Sequence, residues 1–133
     1  MRRQGPMSDQ DISDVARDFL ILDALAQGVP EDRDTIVDWV RSVGSGTTED
    51  FQRIQGLAEI ALFGEEEIDQ RLLALCRKGF IRALPTNSEG SILPRVENEP
   101  RKEMLERYYF EISHSGKLQW KTWEDVLDKA LGK

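Results

Sequence analysis

One cysteine and one histidine in 133 residues leave no material for an internal disulfide or for a structural zinc site of the usual Cys/His kind. No apolar run approaches the roughly 18 to 20 residues that a membrane-crossing helix needs. The basic residues near the start of the chain have no apolar stretch behind them, which excludes the pattern of a secretory leader. The chain is therefore expected to be soluble, unexported and cytoplasmic, with no metal, no cofactor and no membrane partner. Positive charge is also scarce. With 18 Lys and Arg against 25 Asp and Glu, the formal charge is −7, so attraction of the whole molecule to a polyanion is not expected. No glycine-rich phosphate loop, internal repeat or low-complexity tract is present.

What is present suffices for one domain, because 39% hydrophobic residues can fill a single core at this length. Residues 1–12 are expected to form a flexible tail and residues 13–133 the domain. A first helix should start with Ser13 as its N-cap, carry Val15, Phe19, Leu22 and Ala26 on one stripe, and end at Gly28. Ile21 and Leu25 widen that stripe, as if the helix were covered on two sides, by its own core and by a second subunit. Pro30, Glu31 and Asp32 suit the first turn of a second helix, whose face is Ile36, Trp39, Val40 and Val43. After a flexible link at 44–47, Thr47 or Thr48 can cap a third helix along which Phe51, Ile54, Leu57 and Ala58 recur, with Gly56 as a kink or close-packing point.

Residues 57–84 are the stretch around which the chain is organised. Leu57, Ile60 and Ala61 close one helical stripe, and Gly64 permits a turn. Ile68, Leu72, Leu75 and Cys76 then repeat at helical spacing, and Gly79 stands where a helix C-cap favours positive φ. Phe80 to Leu84 favour a strand, closed by Pro85. Residues 85–107 are rich in turn formers and read as an extended loop. Tyr108, Phe110 and Ile112 alternate onto one face of a second strand, expected to pair antiparallel with 80–84. An amphipathic helix over 117–131 completes the chain.

The residues Leu72, Leu75, Gly79, Phe80 and Ile81, followed by Tyr108 to Ile112, Ser113 and Gly116, resemble the pattern of winged helix-turn-helix transcription regulators of the MarR and PadR kind. The resemblance covers about half the chain. It implies a mainly α fold with a small two-stranded antiparallel β-hairpin, the 65–78 helix as recognition helix and 85–107 as a wing. It also implies a DNA-associated regulator. On that reading Gln70 and Arg71 would approach base edges, while Arg77, Lys78, Arg82, Arg95, Arg101, Lys102 and Arg107 would contact phosphates. A homodimer is expected through Phe19, Leu22, Trp120, Trp123, Leu127 and Leu131 on the first and last helices.

Charge is distributed against the DNA reading. Residues 8–70 hold 4 Lys and Arg against 16 Asp and Glu, a net of −12, whereas residues 77–107 hold 7 against 5, a net of +2. Glu65, Glu66, Glu67 and Asp69 can answer the dipole of their helix as a solvated face, but facing phosphates they would repel. The alternative is an acidic winged-helix adaptor that binds a basic protein partner and no DNA. Catalysis is not expected. Ser113 and His114 are adjacent in a polar turn without an oxyanion loop, and Cys76 falls on an apolar stripe.

Overall fold

Phe19, Leu20, Ile21 and Leu22 are consecutive and all fully buried. At about 100° of rotation per residue, four such neighbours use most of a helix's circumference, so this helix has to be enclosed and not laid on a surface. The computed structural model describes residues 9–42, 64–97 and 99–130. The enclosed helix is α1, Asp9–Ala24, followed by β1 (Glu31–Asp32), α2 (Arg33–Ser42), α3 (Glu65–Arg77), β2 (Ile81–Pro85), a 3-10 helix (Lys102–Arg107), β3 (Tyr108–Ile112) and α4 (His114–Ala130). The described architecture is mainly helical with one small antiparallel sheet. The expected helix across 47–63 and the link at 44–47 lie outside the described residues.

The helix starts earlier than Ser13. Ile12 packs against the core one turn before Val15 and Ala16, which extends the buried stripe upstream and places Ser13 inside the helix. The second side of α1 is covered by the chain itself: Ile21 and Leu25 belong to the same core as Leu72, Phe110 and Leu127. Gly28 follows at φ +84, which suits a residue without Cβ.

The sheet has the order β1-β3-β2. The expected pairing is observed, from Ile81 opposite Ile112 to Pro85 opposite Tyr108. Ile81, Ala83, Pro85, Tyr108, Phe110 and Ile112 turn inward, the period-two alternation that buries one face. A third strand corrects the two-stranded expectation. Glu31 and Asp32 pair with Phe110 and Tyr109, so Pro30, Glu31 and Asp32 do not open the second helix. That helix begins at Arg33, and the Asp32 carboxylate accepts from the Thr35 amide at 3.0 Å as its N-cap.

The 85–107 segment is likewise not an extended loop. The Asn87 amide donates to Ser91, and the Asn87 side-chain oxygen accepts from the amides of Glu89 and Ser91 at 2.9 and 3.0 Å, which folds a tight turn ending at Gly90, φ +84. The chain then returns along the free edge of β2, where the amides of Leu93 and Glu97 donate to the carbonyls of Pro85 and Ala83. An open strand edge supplies the partners that the local sequence does not announce.

α3 ends as expected. The Gly79 amide donates to Cys76 and the Phe80 amide to Leu75, a Schellman closure with Gly79 at φ +79. Gly64 is the N-cap of α3 at φ −92, a backbone any residue adopts. The Ser113–Gly116 segment, expected as a turn, is instead the start of α4. The Ser113 hydroxyl donates to the carbonyl of Gly79 at 2.6 Å and accepts from the Gly116 amide at 3.0 Å, so it caps α4 while binding the end of α3. Gly116 is buried, and a Cβ there would collide with the Phe80 carbonyl oxygen. Phe80 also meets Trp123 edge to face with ring centroids 5.8 Å apart. Replacing Gly116 by Ala should therefore cost about 2–3 kcal/mol, the upper part of the overpacking range because the obstacle is backbone. Urea unfolding measures this, and a loss under about 0.5 kcal/mol, the range of an unconstrained surface site, would contradict the close approach.

Candidate functional site

Arg71, the best-placed candidate to reach a base edge, points back into the protein. Its guanidinium contacts Asp14 at 2.9 Å, Asp18 at 3.1 Å and Glu67 at 3.1 Å, and its side chain is only 19% exposed. Asp14 and Asp18 come from α1, so Arg71 joins α3 to α1. Arg17 reinforces the junction from the other side, reaching Glu67 at 3.2 Å and Asp14 at 3.4 Å. A second junction ties α3 to α2. Arg33, at the start of α2, grips both oxygens of Asp69 at 2.8 and 3.1 Å and also reaches Glu65 at 3.0 Å, while Arg41 reaches Glu65 at 3.2 Å. A guanidinium fork matches a carboxylate on two oxygens, which fixes orientation as well as distance.

These contacts set the protonation equilibria. Burial raises the Asp18 pKa, and its bond to Arg71 pulls the value back without cancelling that rise. For Arg71, burial works against the charge, but the carboxylates of Asp18 and Glu67 outweigh it and hold the pKa above its usual value. The Asp69 bond raises Arg33 in the same way. Glu67 and Asp69, together with the half-exposed Glu65, thus tether α3 to its neighbours, a correction to their reading as a freely solvated face. Glu66 is the most exposed of the four α3 acids, at 79%, with Lys102 at 4.0 Å, and Glu65 remains half exposed.

The remaining candidates divide into paired and unpaired groups. Arg82 is bonded to Glu111 across the sheet at 2.6 Å, and Arg95 lies 3.6 Å from Glu97. Gln70, Arg77, Lys78, Arg101 and Arg107 are exposed, and none of these four cations has an ion-pair partner among the described residues. The surface of α3 carries an open cleft of about 500 Å³ lined by Glu66, Glu67, Gln70, Arg71 and Ala74. Its entrance is acidic and its arginine is already engaged.

The residues expected at a dimer interface have work inside one chain. Phe19, Leu22 and Leu127 are fully buried core residues, which corrects their assignment to a surface. Trp120 stacks on Phe19 at 6.4 Å and its indole N–H donates to Asp23 at 3.1 Å, while Trp123 packs against the core beside Phe80. Leu131 lies outside the described residues. His114 is exposed at the start of α4, and Ser113 and Ser115 both donate to the Gly79 carbonyl, so neither hydroxyl is poised as a nucleophile. Burial pushes the Cys76 thiol up to about 12, which leaves it protonated and inert at neutral pH.

The ion-pairing roles of Arg17, Arg33, Asp14 and Asp18 are absent from the expectations drawn from the sequence. The available signal was spacing: Asp14 with Arg17 and Glu67 with Arg71 stand three and four residues apart on their helices. The pairs that join different helices have no such signature.

Arg71→Ala should cost about 2–3 kcal/mol, because it strips the mostly buried Asp18 of its cation and leaves Arg17 alone to hold Asp14 and Glu67. Asp18→Asn should cost about 1 kcal/mol or less at pH 7, since it removes a charge that burial disfavours and Arg71 keeps its other partners. The sign with pH follows from the raised pKa. Asp18 favours the folded state most when protonated, and that contribution is lost as pH rises through its folded pKa. The relative standing of Asp18→Asn should therefore improve from acid to neutral pH. Urea unfolding of both variants at several pH values tests this; equal losses at pH 7 would contradict the assignment. No family model, curated protein or solved structure matches this chain.

Proposed function

We propose that the protein is a winged helix-turn-helix interaction module whose α3 surface receives a basic protein partner and does not read the major groove of DNA. The order of elements, with β3 between β1 and β2 and a turned hairpin after β2, supports the winged-helix reading. The observation that carries the functional part is the state of Arg71, held by Asp14, Asp18 and Glu67 at the helix position where a DNA reader needs a free donor. Glu66 and Gln70 are exposed on the first turns of α3 and outside the ionic junctions, and a partner's Lys or Arg would find acceptors there without displacing the internal pairs. A DNA-associated regulator is the second reading, favoured by the exposed Arg77, Lys78, Arg101 and Arg107.

A titration on random-sequence duplex at about 50 mM salt, where phosphate contacts are strongest, separates the two. No binding at high micromolar protein is expected, together with salt-sensitive binding of a Lys- and Arg-rich peptide that Glu66→Lys weakens. Duplex binding that fades with salt and falls on joint replacement of Arg77, Lys78, Arg101 and Arg107 by Ala would overturn the proposal.

A further inference from the structure

The wing carries a cleft with a different chemistry from the α3 surface. Thr86, Asn87, Ser88, Gly90, Glu106 and Arg107 surround a volume of about 470 Å³ between the tight turn and the end of the 3-10 helix. Two bonds close its base: the Thr86 amide and hydroxyl both donate to the Arg107 carbonyl, at 3.2 and 2.8 Å. These bonds fix the backbone of Arg107 against the turn and leave its guanidinium without an ion-pair partner among the described residues. Asn87 spends its side-chain oxygen on the amides of Glu89 and Ser91, so its amide nitrogen remains as a donor. Ser88 adds a hydroxyl.

We infer that this cleft binds a single phosphate group, free or as a monoester, through Arg107, Asn87 and Ser88. A planar guanidinium, an amide and a hydroxyl on residues that line one cleft match the several acceptor oxygens of phosphate. The surroundings favour one anion over a strand of them. Glu106 lines the same cleft, Glu103 stands three residues earlier on the 3-10 helix and so on the same edge, and Glu89 lies in the turn. A nucleic-acid backbone crossing the wing would meet those carboxylates, whereas an isolated phosphate needs only the donors. Glu106 opposes the bound charge and so limits affinity.

The inference goes beyond the α3 reading and stands on other residues. Its test is an NMR titration of the full chain with inorganic phosphate, with phosphoserine and with a short DNA duplex, at constant ionic strength in chloride. Phosphate and phosphoserine should shift the amides of residues 86–91 and 106–107. Arg107→Gln should weaken that binding roughly tenfold, the loss of one charge-assisted contact. Glu106→Gln should strengthen it, and both residues are exposed, so each variant should keep the parent's spectrum elsewhere. Tighter binding of phosphoserine than of phosphate assigns the site to a phosphorylated side chain, and equal binding assigns it to the free ion. Absence of shifts in the millimolar range, shifts unaffected by Arg107→Gln, or a preference for the duplex would each overturn the inference.

Discussion

The helix α3 is held in place by arginines. Its apolar side, Ile68, Leu72, Leu75 and Cys76, faces the core, yet burial alone is non-directional and would tolerate sliding along α1. The two guanidinium junctions remove that freedom, Arg71 reaching α1 and Arg33 clamping Asp69 from α2. Both lie near the surface without being fully wet, with side-chain exposures of 19% and 11% for the two arginines. In that setting screening by salt is weak and the carboxylates cannot be exchanged for water without loss.

The same junctions shape what the surface can do. A carboxylate-rich first turn is a liability beside phosphate; here Glu65 and Glu67 are paired with arginines of α1 and α2, and Glu66 is the most exposed of the three. Arg71, expected from the sequence at a base edge, is committed to the fold. The exposed cations stand at the end of α3, at Arg77 and Lys78, and in the 95–107 segment, where Glu97, Glu103 and Glu106 are interspersed with them.

Much of the architecture is legible in the chain where the signal is local. The spacing of Ile68, Leu72, Leu75 and Cys76 marks α3 and its buried side, Gly79 marks its end, and the alternation of Tyr108, Phe110 and Ile112 marks β3 and its inward face. What escapes a sequence reading is what depends on a distant partner. Glu31 and Asp32 have little strand preference and become β1 because β3 offers a free edge. Residues 92–97, bent at Pro94, run back beside β2 for the same reason, bridging to it at Glu97 opposite Ala83. Gly116 looks like a turn residue until Phe80 is known to lie against it. The ionic junctions are the extreme case, since nothing near Arg33 in the chain points to Asp69.

The orientation of α3 depends on its ion pairs more than on its apolar side alone. The most direct test is a double-mutant cycle on Arg33 and Asp69, using Arg33→Met, Asp69→Asn and the double variant in urea unfolding at low and high salt. A coupling of about 1.5–3 kcal/mol that changes little with salt is expected for a bidentate, mostly buried pair. A coupling near zero, or one that disappears in salt as an exposed pair's would, contradicts the account.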